Sequence, residues 1–466
     1  MHANGTMPVA SGDRARDNKS AQTPITIDAL QLRSDHVTDA VTTTLSGTRQ
    51  HINPTHDPIR FSGLGGTDQT TMLIPALFVV QETLVTRKGY PFERHRVVTE
   101  DGYIIEMHRI PWGRMGRPTG WPPKRQPILL MSGLLGDSSN YVLDFPHQSL
   151  GFVLADQQYD VWIGNVRGNS YGKGHVNLKV RSKAFWNFSF HEHAVLDLPA
   201  QIDYVLRATG WQDVPYVGVS QGTLVLFTML SERPEYNRKV KAFAGLAPFN
   251  KLTHVEIVAL TAFTPYAEKY LTSGHEAFLA EVLPRGAFYM PWASKFCALP
   301  TRAVCSLIGD IAGDLGSKYM NEVRGARACF YAVQTRLPVY LHFMPGGTST
   351  KNIVHFAQLV ASARPQKFDY GPRRNMLIYG QRVPAEYRLG NVRTDVGIFW
   401  SRGDHVITPP NVQELIRELG PHVAMDHFID DPYYTHAHFL VALNNPDVLF
   451  GRLLAFLERY TATDNG

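Results

Sequence analysis

An α/β protein with a mostly parallel sheet, interrupted by a large, mainly helical insertion, is the architecture this 466-residue sequence predicts. Three observations carry the prediction. Short apolar runs alternate with helix-like stretches between residues 93 and 249, the pattern of a parallel sheet covered on both faces. One strand-like run passes directly into a helix-like run through the pentapeptide Gly218-Val219-Ser220-Gln221-Gly222. The rhythm then breaks for about 145 mostly helical, Tyr- and Phe-rich residues, until Val396-Gly397-Ile398-Phe399-Trp400 resumes it. These shifts divide the chain into an N-terminal tail at 1–70, a first core part at 71–249, a cap or lid at 250–390 and a second core part at 391–466.

The tail is rich in Thr, Ser, Asp, Gly, Arg and His and lacks apolar periodicity, so it is expected to stay disordered or loosely packed. An apolar helix is expected from about Leu73 toward Gly89-Tyr90-Pro91. Glu93 to Ile110 reads as a hairpin turning at Glu100-Asp101-Gly102. Pro127-Ile128-Leu129-Leu130-Met131 and Tyr159 to Asn165 read as strands, with a helix from Leu150 to Gln158 between them. After Phe185, Leu198, Ile202, Val205 and Leu206 share one helical stripe. His191-Glu192-His193 is not spaced as a zinc motif and reads as a solvated helix face.

Composition excludes several classes. The chain is 44% hydrophobic and 19% charged, and its net charge of +5 is spread along the sequence, which argues against a nucleic-acid partner. No apolar run reaches the roughly 18–20 residues needed to span a bilayer, and no N-terminal secretory signal is evident. The three cysteines, Cys297, Cys305 and Cys329, are too sparse for a metal site. Their spacing leaves open three reduced thiols or one bridge plus a free thiol. Gly168 to Lys173 falls short of a phosphate-binding loop. No cofactor or metal is expected.

The pentapeptide carries the chemistry. A strand–turn–helix G-x-S-x-G places its serine on a sharp turn with the hydroxyl raised from the sheet. A second match, Gly168-Asn169-Ser170-Tyr171-Gly172, runs into polar sequence, so Ser170 reads as a loop residue. A serine hydroxyl is a weak nucleophile and needs a base oriented by a carboxylate. Asp404, just past the strand ending at Trp400, suits the carboxylate; His405 beside it reads as a solvated loop residue. For the base, the loop Tyr434-Thr435-His436-Ala437-His438 offers both His436 and His438. The oxyanion donors fall on the backbone N–H groups of Gln221, which opens the following helix, and Leu134, after the strand at 127–131.

Several separated segments resemble the acid lipases, the gastric and lysosomal acid lipase family. They include Gly89-Tyr90-Pro91, Val98 to Ile104, His108 to Pro111, Gly133-Leu134-Leu135, Asp160-Val161-Trp162, Arg167-Gly168-Asn169, Asp197 to Ala200, Leu337 to Leu341 and Pro345 to Asn352. The resemblance spans roughly 85–460. It implies an α/β-hydrolase fold with a large helical cap, and a secreted or lysosomal hydrolase of triacylglycerols or steryl esters, active at acid pH on an oil–water or membrane interface. It puts the nucleophile on Ser220, the acid on Asp404 and the base on His436, because the family's Asn-His lines up with Thr435-His436. It also implies a cap disulfide between Cys297 and Cys305. The chain departs from the family at Ser132 and Val219, where the family usually has histidine. Two rival readings are a short-chain carboxylesterase and a non-catalytic lipid-binding relative. The sequon Asn187-Phe188-Ser189 lies in aromatic surroundings that suggest burial.

Overall fold

Pro127–Met131, Asp160–Ile163, Val214–Val219 and Val396–Ser401 are buried along their whole length. Near-continuous apolar runs behave so only when both faces of a sheet are covered. The computed structural model describes residues 81–116, 125–255, 279–286 and 337–461. The expected tail at 1–70, the start of the helix at Leu73, all three cysteines and most of the expected insertion lie outside the described residues.

In chain order the strands are β1 (Glu93–Val98), β2 (Tyr103–Ile110), β3 (Pro127–Met131), β4 (Asp160–Ile163), β5 (Gly174–His175), β6 (Val214–Val219), β7 (Val240–Leu246), β8 (Glu281–Val282), β9 (Thr348–Ser349), β10 (Val396–Ser401) and β11 (Val423–Ile429). The main sheet runs β1-β2-β4-β3-β6-β7-β10-β11, with β5 on β2. From β4 to β11 every pair is parallel. The β1–β2 hairpin adds an antiparallel edge, turning at Gly102 with φ +94°. The fold is the predicted α/β architecture. A second, two-stranded sheet pairs β8 with β9.

The helices that fix the functional edge are α1 (Gln81–Thr86), α2 (Leu150–Asp156), α3 (Leu198–Thr209), α4 (Gln221–Glu232), α5 (Thr350–Ser362), α6 (Pro409–Leu419) and α7 (Gly451–Thr461). On α3, Leu198, Ile202 and Val205 face the core, as their spacing predicts. Helix α4 is buried from Gln221 through Ser231.

One expectation is overturned. His191-Glu192-His193 is not a solvated face: His193 is fully buried, and His191 and Glu192 are partly covered. A π-helical turn, His193–Asp197, joins the short helix Phe190–Glu192 to α3. The wider turn means that a 3.6-residue periodicity does not carry across it into α3.

Candidate active site

Parallel strands send the loops after β3, β6, β10 and β11 to one edge of the sheet. Leu134, Ser220, Asp404 and His436 lie in those loops, and Gln221 opens the helix that follows β6.

Ser220 follows β6 with φ +51° and ψ −118°, a strained conformation for a residue with a side chain. Its N–H donates to Leu246 O at 3.0 Å, which pins the turn to β7. The flanking glycines are sterically required. A Cβ on Gly222 would lie 2.4 Å from Met131 O, and one on Gly218 would lie 2.8 Å from the Gly222 carbonyl carbon. Strain of this kind costs about 1–3 kcal/mol. Helix α4 offsets it by burying Leu224, Val225, Leu226, Phe227, Met229 and Leu230, each contributing about 1.5–3 kcal/mol. Packing wins by a wide margin, so the turn holds.

Asp404 is 2% exposed, and its two oxygens are divided. Oδ1 accepts the N–H groups of Val406 (2.9 Å) and Ile407 (2.8 Å), while Oδ2 accepts His436 Nδ1–H at 2.8 Å. The two loops are packed together: a Cβ on Gly403 would meet Pro432 O at 2.6 Å, and Ser401 Oγ donates to Tyr434 O at 2.7 Å. His438, the other histidine of the loop, is turned inward and fully buried. Its Nδ1 accepts the Thr435 N–H at 2.7 Å, and burial lowers its pKa to about 4. His405 is exposed.

Of the three predicted side chains, Asp404 and His436 are thus joined directly. Ser220 is delivered to the same edge by β6, with no hydrogen bond to the imidazole among the described residues. The loop after β3 lies against the serine, since a Cβ on Gly133 would sit 3.1 Å from Ser220 Cβ and 3.6 Å from its Oγ. Leu134 is the next residue of that loop. Gln221 is the first residue of α4, so its N–H belongs to the helix's unpaired N-terminal donors. Ser132 Oγ donates to Asp137 O at 2.8 Å, closing the β3 loop on itself, and Val219 is buried. Ser170 stays in a loop, donating to Gly346 O at 3.1 Å. In the sequon, Phe188 and Ser189 are buried but Asn187 is exposed, against expectation, and accepts from Lys351 Nζ at 3.2 Å.

Two features were missed in the sequence. Asp137, fully buried, pairs with Arg285 at 2.6 Å and ties that distant residue to the β3 loop. Asn352, also fully buried, donates from Nδ2 to Gln221 Oε1 at 2.8 Å. Neither carries a local signal: the partners are 148 and 131 residues apart. Among the described residues no acidic, His or Cys cluster could hold a metal ion, and no helix is long and apolar enough to cross a membrane.

Comparison with known proteins adds kinship to this geometry. Residues 126–434 match the α/β hydrolase fold family, and residues 81–145 match the partial α/β-hydrolase lipase region. Lipase lipl-5 of Caenorhabditis elegans is 37% identical, covering 81% of this chain and 91% of its own. Lipase member K of Homo sapiens is 33% identical over 81% of this chain and 90% of its own. Human gastric triacylglycerol lipase is 32% identical over 80% and 90%.

Proposed function

This chain belongs to the acid lipase family of α/β-hydrolases, and on that footing we propose that it hydrolyses lipid esters, triacylglycerols or steryl esters, through Ser220, His436 and Asp404. The observation that carries the reading is the Asp404–His436 pair, held at 2.8 Å on the same sheet edge as a serine with φ +51°. Catalytic hydrogen bonds are often long in ligand-free structures and tighten when substrate binds, so the Ser220–His436 contact belongs to the substrate complex.

Ser220 Oγ attacks the ester carbonyl carbon while its proton passes to His436 Nε2. The carboxylate of Asp404 keeps the opposite ring nitrogen protonated and stabilises the imidazolium. Charge developing on the carbonyl oxygen is met by the N–H groups of Gln221 and Leu134, contacts of a kind worth about 3–4 kcal/mol each. The imidazolium then protonates the departing alkoxide. Water, deprotonated by His436, attacks the acyl-enzyme; the fatty acid leaves and Ser220 regains its proton. In this reading residues 250–390 form the cap that receives acyl chains at a lipid surface, and the enzyme works in a secreted or lysosomal, acidic setting.

Ser220→Ala should abolish fatty-acid release from emulsified triolein, a loss of about 10⁶-fold in kcat, together with stoichiometric labelling by a fluorophosphonate. Retained hydrolysis in that variant would sink the proposal, and an unlabelled wild-type chain would favour a lipid-binding protein without chemistry. Faster turnover of dispersed butyrate esters than of emulsified triolein would instead mark a soluble carboxylesterase.

A further inference from the structure

The Gln221 side chain is not incidental to the proposed site. It is 2% exposed, and its Oε1 accepts from Asn352 Nδ2 at 2.8 Å. Which end of the Asn352 amide faces Gln221 is fixed by a third group. The Phe190 N–H donates to Asn352 Oδ1 at 2.7 Å, and a backbone N–H can only donate. The oxygen is therefore committed to Phe190, and the nitrogen is left for Gln221 and, at 3.1 Å, for Thr348 Oγ1. Asn352 is itself clamped, because its own N–H donates at 3.0 Å to Ser349 Oγ, which caps α5.

The segment that carries Asn352 also reaches the opposite donor loop. Gly346 N–H donates to Leu135 O at 2.6 Å, one residue past Leu134, where the backbone takes φ +61°. Thus residues 346–352 touch both sides of the pocket where charge would develop, through Leu135 on one side and Gln221 on the other.

We infer that Asn352 is a positioning residue for ester hydrolysis: by holding the Gln221 side chain, it fixes the first turn of α4 and aims the Gln221 N–H at the developing oxyanion. The inference rests on the reading of Ser220 and Gln221 given above. A donor that is misaimed still lets substrate bind but stabilises the transition state less, so the effect falls on kcat rather than KM.

The test is a double-mutant cycle on the full chain with Asn352→Ala, Gln221→Met and both together. It reads kcat and KM on emulsified triolein, the rate of fluorophosphonate labelling, and the thermal midpoint. Each single variant should lower kcat by about 10- to 100-fold with KM within about twofold, and should slow phosphonate labelling in parallel, since that reagent also passes through a charged tetrahedral state. The double variant should be no slower than the slower single. Three results would overturn the inference: kcat losses that multiply, a change confined to KM, or wild-type kcat in either single variant. If Asn352→Ala does not fold, Gln221→Met alone decides, because it removes the same contact from the other partner. Failure of the parent reading looks different: wild-type chain would not label at Ser220 at all.

Discussion

Among the described residues, two groupings of serine, histidine and carboxylate differ in strain and access, one open at the strand edge and one sealed inside. In the first, Asp404 Oδ2 holds His436 Nδ1 at 2.8 Å near a serine in a left-handed turn at the strand edge. In the second, His355 Nδ1 pairs with Ser189 Oγ at 3.0 Å, and Glu192 Oε2 accepts the Ser189 N–H at 2.6 Å. The differences lie in what each group is committed to. Ser189 has ordinary extended backbone, φ −134°, and caps a helix. The other nitrogen of His355 donates to Gln366 O at 3.0 Å rather than to a carboxylate. Ser189 and His355 are fully buried, and burial drives the His355 pKa to about 3, too low for a general base near neutrality. Residue types alone do not make a nucleophile; strain, access and the second partner of the imidazole do.

The largest expected break in this comparison is Asp404→Asn. The asparagine oxygen can still accept the Val406 and Ile407 N–H groups, so the loop should keep its shape. Its amide would face His436 Nδ1 with a donor, reversing the tautomer and leaving Nε2 unable to take the serine proton. An expected loss of about 10⁴-fold in kcat, with the thermal midpoint nearly unchanged, would mark the open set as the reactive one. A loss of less than about tenfold would remove Asp404 from the proposed role.

A smaller effect, of the opposite kind, is expected from the sealed set. Ser189→Ala removes a helix cap and the partner of His355, which should cost about 1–3 kcal/mol of stability while kcat stays within about threefold. Denaturant unfolding and triolein hydrolysis, measured side by side, separate the two sets. A large kcat loss without destabilisation would give Ser189 a part in the reaction.

The open set was legible in the sequence because its members sit at strand ends marked by local patterns. The two glycines and serine of the elbow announce themselves, and Asp404 follows an apolar run. The choice between His436 and His438 was not available from spacing. It depended on resemblance, and in the structure it turns on which imidazole faces Asp404 and which turns toward the Thr435 N–H. In the sealed set only the His191-Glu192-His193 stretch was misread, because Glu192 is paired across a long stretch of chain. Lys351, itself buried, approaches Glu192 at 3.8 Å from 159 positions away, so a stretch that looks solvated by composition is covered by α5 and its neighbours. Helix periodicity fails at the same place, where the π-helical turn at His193–Asp197 shifts the register. Asn352 was visible only as part of a matching segment, since nothing in the sequence around it indicates a partner 131 residues earlier.

The sealed region also carries an acid response of its own. Burial, with the nearby Arg167 charge, lowers the His193 pKa to about 3, while burial is the main cause at His355, also about 3. Unfolded, each would titrate near 6.5. Because the folded pKa values are depressed, the unfolded state takes up more protons once pH drops below 6.5. The stability these histidines contribute is complete above 6.5 and declines as pH falls toward 3. Glu192 acts in a lower window. Burial raises its pKa, but Lys351, His191 and the Ser189 N–H pull it down to about 2, so its contribution is present above 4.5 and is lost only below that. Between pH 6.5 and 4.5 the histidines therefore dominate this cluster's acid response. His193→Met should make the fall in unfolding free energy shallower by about 1.4 kcal/mol per pH unit across that window, with the pH profile of triolein hydrolysis unchanged. An unaltered slope would show that His193 is protonated equally in both states; a moved activity profile would couple the sealed region to the open one.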